Sequence, residues 1–133
     1  PPPPPVQKAA DSLRKVYFDY DSASLTGGTK SALSDTARIL KENNGVKLEL
    51  QGHCDERGTT SYNMGLGERR ARAVYRYLVD QGVASSRLKT VSYGEERPSA
   101  SGAYESAWSQ NRRAEFRVSY KEGTENVKGS TDR

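Results

Sequence analysis

Short alternations of apolar and polar residues along the chain predict four β-strands. The clearest lies at residues 46–54, where Val46, Leu48, Leu50 and Cys54 alternate with polar side chains and would share one face of a strand. Three other stretches rich in strand-forming residues are predicted as strands, at 15–20, 88–93 and 114–120. Because an alternating strand buries one face and exposes the other, the sheet should be covered on one face only.

Two long stretches with a helical period separate these strands. The first spans 26–43 and is followed by Asn44 and Gly45, while the second spans 63–81 and is followed by Gly82, so both have a stop signal. A short helix is predicted at 104–109. The order β-α-β-α-β-β predicts an α/β fold, an α+β two-layer sandwich whose mixed four-stranded sheet carries helices on one face.

The two ends of the chain differ in composition from its middle. The chain begins with five prolines, so residues 1–12 are predicted to form a flexible, extended spacer. Residues 121–133 contain one apolar side chain, Val127, and are predicted to be a disordered polar tail. The domain itself is expected at 13–120.

Charge and cysteine content narrow the class of protein. The 21 basic and 17 acidic residues are interleaved and leave a net charge of +4, which is less concentrated than a nucleic-acid-binding domain of this size usually shows. The single cysteine, Cys54, excludes an internal disulfide. No apolar run is long enough to predict a membrane-spanning helix.

Arg70 interrupts the apolar face of the second long helix. It lies four residues after Leu66 and four before Val74, on the same side as Asn63. A guanidinium in that position is costly unless something pairs with it. Two interpretations stay open. Arg70 either has a structural role, in an internal ion pair or as a side chain that reaches past the edge of the core, or it binds the carboxylate of a ligand.

Asp55 directly follows the strand at 46–54, in the loop that leads to the same helix. Ligands of α/β folds gather where strand ends face helix N-termini, so Asp55 and Arg70 could flank one small site. A site with one charge of each sign suits a zwitterionic ligand. The carboxylate of Asp55 would accept hydrogen bonds from the ammonium of the ligand, and the guanidinium of Arg70 would bind its carboxylate. Alternatively, Asp55 caps the helix, braces the loop or pairs with Arg70.

Other chemistry has weaker support from the residues. His53 lies two residues before Asp55 on the same strand face, but no serine is marked as a nucleophile, so catalysis is not predicted. Neighbouring His53 and Cys54 point to opposite faces and no second cluster completes a shell, so neither a metal site nor a cofactor is predicted. The exposed basic stripe of Arg69, Arg72 and Arg76 is read as a solvated face or a surface for a protein partner.

A long, ordered set of motifs resembles the signature of OmpA-like peptidoglycan-binding domains. The segment GHCDERGTTSYN at 52–63 is followed by LGERRA at 66–71, and VYFDYD, VSYGEERP and NRRA agree elsewhere, so the resemblance covers 16–120. The residues of these motifs are most similar to those of the lipoprotein members of the family. The C-terminal domain of an OmpA-type porin and the wall-binding domain of a flagellar stator are the alternatives.

The resemblance implies non-catalytic binding of the peptidoglycan stem peptide through its meso-diaminopimelate. It implies that Asp55 receives the ammonium of that residue and that Arg70 holds a carboxylate. Asp21 matches a position that contacts the ligand through its backbone, Asn63 matches an asparagine that shapes the site, and Arg112 matches an arginine of the NRR element.

The resemblance also implies partners and a location. Lipoproteins of this family are held at the periplasmic face of the outer membrane by an N-terminal lipid, and they contact the periplasmic Tol proteins, TolB above all. Nothing in the sequence demands more than a monomer. Cys54 stands where family members usually carry a small residue, and it is expected to be buried.

Overall fold

The computed structural model describes residues 3–122 and 125–130, with 121–122 and 125–130 described by their backbone alone. The elements follow one another as α1 (Pro4–Ser12), β1 (Val16–Tyr17), α2 (Gly27–Glu42), β2 (Val46–His53), α3 (Thr60–Asp80), β3 (Leu88–Gly94), α4 (Glu105–Asn111), β4 (Arg113–Glu122) and β5 (Glu125–Ser130). A single 3₁₀ turn, Ser85–Arg87, precedes β3. Among the described residues, no helix is both long and apolar enough to cross a bilayer.

Four strands form a mixed sheet in the order β1-β4-β2-β3, and β5 is added to it by pairing with β4. Strand β4 runs antiparallel to β1 and β2, while β2 and β3 run parallel. Because β2 and β3 run parallel, their connection crosses the sheet through α3, as such connections usually do. The predicted α/β fold with a mixed four-stranded sheet is confirmed.

The core lies between this sheet and helices α2 and α3. In the β2–β4 ladder, Leu48 is paired with Val118 and Leu50 with Phe116, and all four are buried. They pack against buried leucines and valines of the helices: Leu33, Leu40, Val74 and Leu78. Since paired residues share a face, the apolar positions of β2 predict which side of the sheet the helices cover.

Threonine side chains set the start of both long helices. Thr26 accepts a hydrogen bond from the Thr29 backbone N–H, and Thr59 accepts one from the Tyr62 backbone N–H at 3.0 Å. Such caps satisfy backbone donors that a helix start leaves unpaired. Helix α3 therefore begins three residues before the predicted boundary, which adds a turn directly beside the loop after β2.

Helix α3 lies against β2 with no side chain between the two backbones. A Cβ atom on Gly52 would lie 1.7 Å from the carbonyl oxygen of Gly67, and one on Gly67 would lie 2.2 Å from Oγ of Ser92. Only glycine fits at such an approach. The contact holds the first half of α3, including Arg70, over the carboxyl end of β2.

Both ends of the chain differ from the prediction. The extended spacer expected at 1–12 is instead helix α1 from Pro4 onwards, whose Val6, Ala9 and Ala10 are buried in the core. At the other end, 125–130 form strand β5 on the free edge of β4, where disorder was predicted. Residues 1–2, 123–124 and 131–133 lie outside the described residues.

The first strand is shorter than predicted. Only Val16 and Tyr17 of the expected 15–20 stretch form it, paired with Ala114 and Arg113. Beyond that point the Phe18 N–H donates to the carbonyl of Arg112, and the chain then turns at Asp21, whose φ is +51°. This turn brings Tyr20 and Asp21 to the same end of the sheet as Asp55.

Candidate functional site

A small pocket of about 130 Å³ lies at the carboxyl end of β2. The turn after β1, the loop after β2 and the first half of α3 form its walls. Four of the five predicted site residues line it: Asp21, Asp55, Asn63 and Arg70. The fifth, Arg112, reaches the rim of the pocket from the start of β4.

Arg70 is fully buried, with 0% of its surface exposed. Its guanidinium donates to three backbone carbonyls, those of Ser22 at 2.9 Å, His53 at 2.8 Å and Asp19 at 3.1 Å. No carboxylate forms an ion pair with Arg70 in the described part of the chain. Burial lowers the pKa of Arg70 from its ordinary value, but an arginine stays protonated.

The environment of Arg70 matches neither of the two internal arrangements considered from the sequence. The internal ion pair with Asp55 does not form, and the side chain does not reach past the core to solvent. Three of the five guanidinium N–H groups have carbonyl partners, which leaves two for another acceptor. The charge is therefore held in place by dipoles and is not neutralised by an adjacent anion.

Asp55 is buried as well, and both of its carboxylate oxygens face arginines. Arg57 donates to Oδ1 through its backbone N–H and Nε, and to Oδ2 through Nη2 at 2.8 Å. Arg112 lies 3.7 Å from Oδ2. Burial alone would raise the pKa of the Asp55 carboxyl, but the hydrogen bonds and charge of Arg57, with the charge of Arg112, hold it below its usual value. Asp55 therefore braces its loop as an anion.

Arg57 is a site residue that sequence reasoning missed. Its guanidinium lies between the rings of Tyr20 and Trp108, 4.0 Å from the centre of each. The indole N–H of Trp108 donates to Glu56 at 3.1 Å, which orients the ring. The position two residues after Asp55, within the motif, was the only signal for Arg57, because the sequence does not reveal the aromatic rings on either side.

Asn63 joins the loop after β2 to helix α3. Its side-chain amide donates to the carbonyl of Arg57 at 3.0 Å and to Glu95 at 2.8 Å. Across the pocket, the Tyr62 hydroxyl donates to the carboxylate of Asp21, and that hydrogen bond raises the pKa of Tyr62. These contacts fix the two loops that form the mouth of the pocket.

Arg112 links three parts of the rim. Its Nε donates to the carbonyl of Phe18 at 2.9 Å, and its two terminal nitrogens donate to Glu105 at 3.1 and 3.0 Å. The hydrogen bonds from Arg112 lower the pKa of the exposed Glu105 carboxyl. Arg112 thus supports the site from behind Asp55 and does not line the pocket.

Cys54 and His53 do not form the catalytic or metal-binding arrangements that were considered. Cys54 is buried as predicted, its thiol points to the carbonyl of Asn63, and burial raises its pKa to about 11. His53 points to the opposite face of the sheet, where it stacks on Tyr93 and lies 3.4 Å from Oε1 of Gln51. Within the described residues, no three potential metal ligands lie together.

Comparison with known proteins agrees with the geometry. The model of the OmpA family matches residues 17–112. The peptidoglycan-associated lipoproteins of Pseudomonas putida and Pseudomonas aeruginosa are 52% and 50% identical to the chain over 111 residues, 84% of the chain and 66% of each relative. The chain thus spans about two thirds of the length of these relatives.

Solved structures show the same fold. The crystal structure of the peptidoglycan-associated lipoprotein from Burkholderia pseudomallei has a TM-score of 0.79 at 41% identity, covering 84% of this chain and 97% of that one. The C-terminal domain of Helicobacter pylori MotB has a TM-score of 0.76 at 22% identity, covering 82% and 86%. The second likeness is one of fold alone.

Proposed function

Because this chain belongs to the OmpA family, we propose that it is a non-catalytic peptidoglycan-binding domain that anchors the outer membrane to the cell wall. The observation that carries the proposal is the buried Arg70, which donates to three backbone carbonyls, forms no ion pair among the described residues, and lines a pocket that also holds Asp55. A guanidinium without a neighbouring anion favours a ligand carboxylate.

The ligand proposed for this pocket is the meso-diaminopimelate side chain of the stem peptide. Its free end carries one ammonium and one carboxylate on a single carbon. The carboxylate would accept from the two remaining N–H groups of Arg70, and the ammonium would donate to Asp55. The pocket volume of about 130 Å³ is well below the roughly 300 Å³ of pockets that enclose a drug-sized ligand, so it suits one amino-acid head group.

Arg57 occupies the position that the ligand ammonium requires. Its contacts use both oxygens of Asp55, so an ammonium must share the carboxylate or displace part of the Arg57 fork. Arg57 keeps aromatic partners on both faces, which can hold it beside the pocket after it releases Asp55. In either case Asp55 is not left unpaired when the ligand binds.

The first test is sedimentation of the purified chain with insoluble diaminopimelate-type peptidoglycan. We expect binding by the wild type, displacement by free diaminopimelate, and loss of binding in folded Asp55→Ala and Arg70→Leu. Arg72→Leu, an exposed arginine on the same helix, is the matched control and should bind normally. Failure of the folded wild type to bind would rule out the function. Loss of stability in Arg70→Ala with unchanged wall binding would give Arg70 a structural role only.

A second test concerns the carboxylate that Arg70 would hold. Amidation of the free carboxylate of diaminopimelate removes the charge that the guanidinium attracts, so amidated stem peptides should bind more weakly. Charge-assisted hydrogen bonds contribute roughly 1.5–3 kcal/mol, which corresponds to a loss of about tenfold or more. Equal affinity for the two forms would contradict this assignment of Arg70.

The remaining parts of the proposal concern the whole protein. An N-terminal lipid at the outer membrane is supported by relatives named peptidoglycan-associated lipoprotein at 52% and 50% identity. Its place at the periplasmic face and contact with Tol proteins, TolB first, are proposed from the resemblance of the sequence motifs to the lipoprotein members of the family. The likeness to the flagellar MotB domain is 22% identical, so that alternative has less support. Fractionation of cells and cross-linking of the full-length protein to TolB would test both parts.

A further inference from the structure

The open face of the sheet, opposite the helices, carries a group of cations at the end where β2 and β3 begin. In the ladders, Lys47 is paired with Ser119, and Glu49 is paired with both Arg117 and Lys89. Because directly paired residues share a face and successive residues alternate, all five side chains lie on the side away from Leu48 and Val118. We call the surface formed by these five side chains and Arg87 the basic face.

The basic face surrounds a cavity of about 300 Å³ and has an excess of positive charge. Lys47, Arg87, Lys89 and Arg117 line the cavity, with Glu49 as its one acid. Arg87 is anchored by hydrogen bonds to the carbonyls of Leu40, Asn43 and Val46. In the described part of the chain, the exposed Lys47, Lys89 and Arg117 take part in no ion pair, and Glu49 is the one acid among the four cations, so the positive charge is in excess.

The basic face lies at the end of the molecule opposite the pocket. Strands β1 and β2 are both antiparallel to β4, so both run towards the pocket. Lys47 and Lys89 are the second residues of β2 and β3, at the far end. Helix α1 packs at this end too, where Pro5 and Ala9 face Ile39 and Asn43 at the end of α2. The chain therefore enters the fold at the same end of the sheet as the basic face.

We infer that the basic face binds the phosphate-bearing headgroups of an anionic phospholipid surface. The orientation rests on the proposed function: if an N-terminal lipid holds the protein, the end where the chain enters faces the membrane and the pocket faces the wall. Unpaired lysine and arginine side chains near such a surface strengthen binding about fivefold each. The cavity between them gives a phosphate group room among several cations.

The test is sedimentation with vesicles made of equal parts phosphatidylglycerol and phosphatidylcholine, and with phosphatidylcholine alone. We expect the chain to bind the first and not the second, and to be released at high ionic strength, where surface charges are screened. The double variant Lys47→Glu/Lys89→Glu should bind at least tenfold more weakly. The matched control is Arg72→Glu/Arg76→Glu, which makes the same change of charge on the exposed side of α3 and should bind as the wild type does.

Each other outcome overturns the inference. Equal losses of vesicle affinity in both double variants would mean that net charge alone drives binding. If the wild type did not bind the anionic vesicles, the basic face would not be a lipid-binding surface. Tighter binding of poly-glutamate than of anionic vesicles would assign the basic face to an acidic protein. The same variants should sediment with peptidoglycan as the wild type does. If vesicle binding fails, the wall-binding proposal therefore still stands, and if wall binding fails, vesicle binding can still be tested.

Discussion

At the scale of single residues, the ligand that the pocket can accept depends on how two charges are held. Arg70 is bound by carbonyl dipoles and keeps an unneutralised charge, while Asp55 is neutralised by an arginine that is itself partly exposed. The two charges therefore differ in what a ligand must do. The carboxylate of the ligand adds a partner to Arg70, whereas the ammonium must share Asp55 with Arg57 or displace part of the Arg57 fork.

The replacement model makes a prediction for Arg57. In Arg57→Ala the carboxyl of Asp55 keeps the hydrogen bond from the backbone N–H of residue 57 but loses the side-chain hydrogen bonds and the charge of Arg57, so its lowered pKa should rise. Wall binding needs the carboxylate, so the acid limb of its pH profile should move to higher pH. Titration of the Asp55 side-chain carbon by NMR measures the first effect and sedimentation against pH the second. An unshifted Asp55 pKa would mean that Arg112 and the backbone N–H of residue 57 are enough to keep the carboxyl ionised.

Sequence reasoning reached the central residues of the site and missed one at its rim. The helical wheel identifies Arg70 because burial of a charge on an apolar face is visible in the spacing of the residues. The carbonyl partners of that charge, at Asp19, Ser22 and His53, depend on how two loops fold and leave no trace in spacing. Arg57 was missed for the same reason.

At the scale of elements, the contact between α3 and β2 places the site. Gly67→Ala would put a methyl group 2.2 Å from Oγ of Ser92 and 2.9 Å from the backbone oxygen of Gly52, so α3 must move. We expect a loss of about 1–3 kcal/mol in the free energy of unfolding and weaker wall binding, because Arg70 moves with the helix.

Gly65 supplies a matched control for that substitution. It lies in the same helix, and a Cβ there meets nothing closer than Arg69 Nη1 at 3.4 Å. Gly65→Ala should therefore stabilise the protein by up to about 1 kcal/mol, through helix propensity alone. Urea denaturation of both variants gives the comparison. Equal effects at the two positions would show that the close helix–strand contact does not constrain the fold.

Helix α1 shows why one element escaped prediction. Val6, Ala9, Ala10 and Leu13 have the i, i+3, i+4, i+7 spacing of a helix face, and all four are buried. The five prolines dominate the composition of this segment and masked that spacing, although proline is tolerated in the first turn of a helix. The longer helices α2 and α3 were confirmed because their spacing persists over four turns or more.

The packing of α1 can be measured by placing one charge on each of its faces. Ala10→Glu puts a carboxylate into the core, which should lower the free energy of unfolding by about 2 kcal/mol or detach the helix. Ser12→Glu adds the same side chain at an exposed position and should change stability by less than about 0.5 kcal/mol. Urea denaturation measures both. Equal stability of the two variants would mean that residues 4–12 do not pack on the core and form the flexible spacer predicted from the sequence.

At the scale of the whole molecule, the direction of the strands separates two surfaces. The predicted alternation in β2 placed its apolar side chains correctly, and with them the face that the helices cover. The other face was expected to meet solvent, yet His53, Gln51, Arg113 and Glu115 are buried there. Long polar side chains on neighbouring strands cover one another, which alternation within one strand does not reveal.

That polar layer should make the stability of the whole protein depend on pH. Burial, with the charges of Arg113, Arg97 and Lys15, lowers the pKa of His53 to about 3 from 6.5. Between these values the unfolded chain binds a proton that the folded protein refuses, so stability falls as the pH falls from 6.5 towards 3. From pH 7 to about pH 5 the expected loss is roughly 2 kcal/mol.

The variant His53→Phe separates this effect from other titrations. Phenylalanine keeps an aromatic ring beside Tyr93 but cannot take up a proton, so most of the loss between pH 7 and about pH 5 should disappear in urea denaturation. Asp55 does not interfere, because its lowered pKa makes a contribution that is lost only at more acid pH, below its ordinary value of 3.8. If wild type and variant lost equal stability over this range, His53 would have to be protonated in the folded protein, and the polar layer would have to accommodate a further positive charge among its arginines.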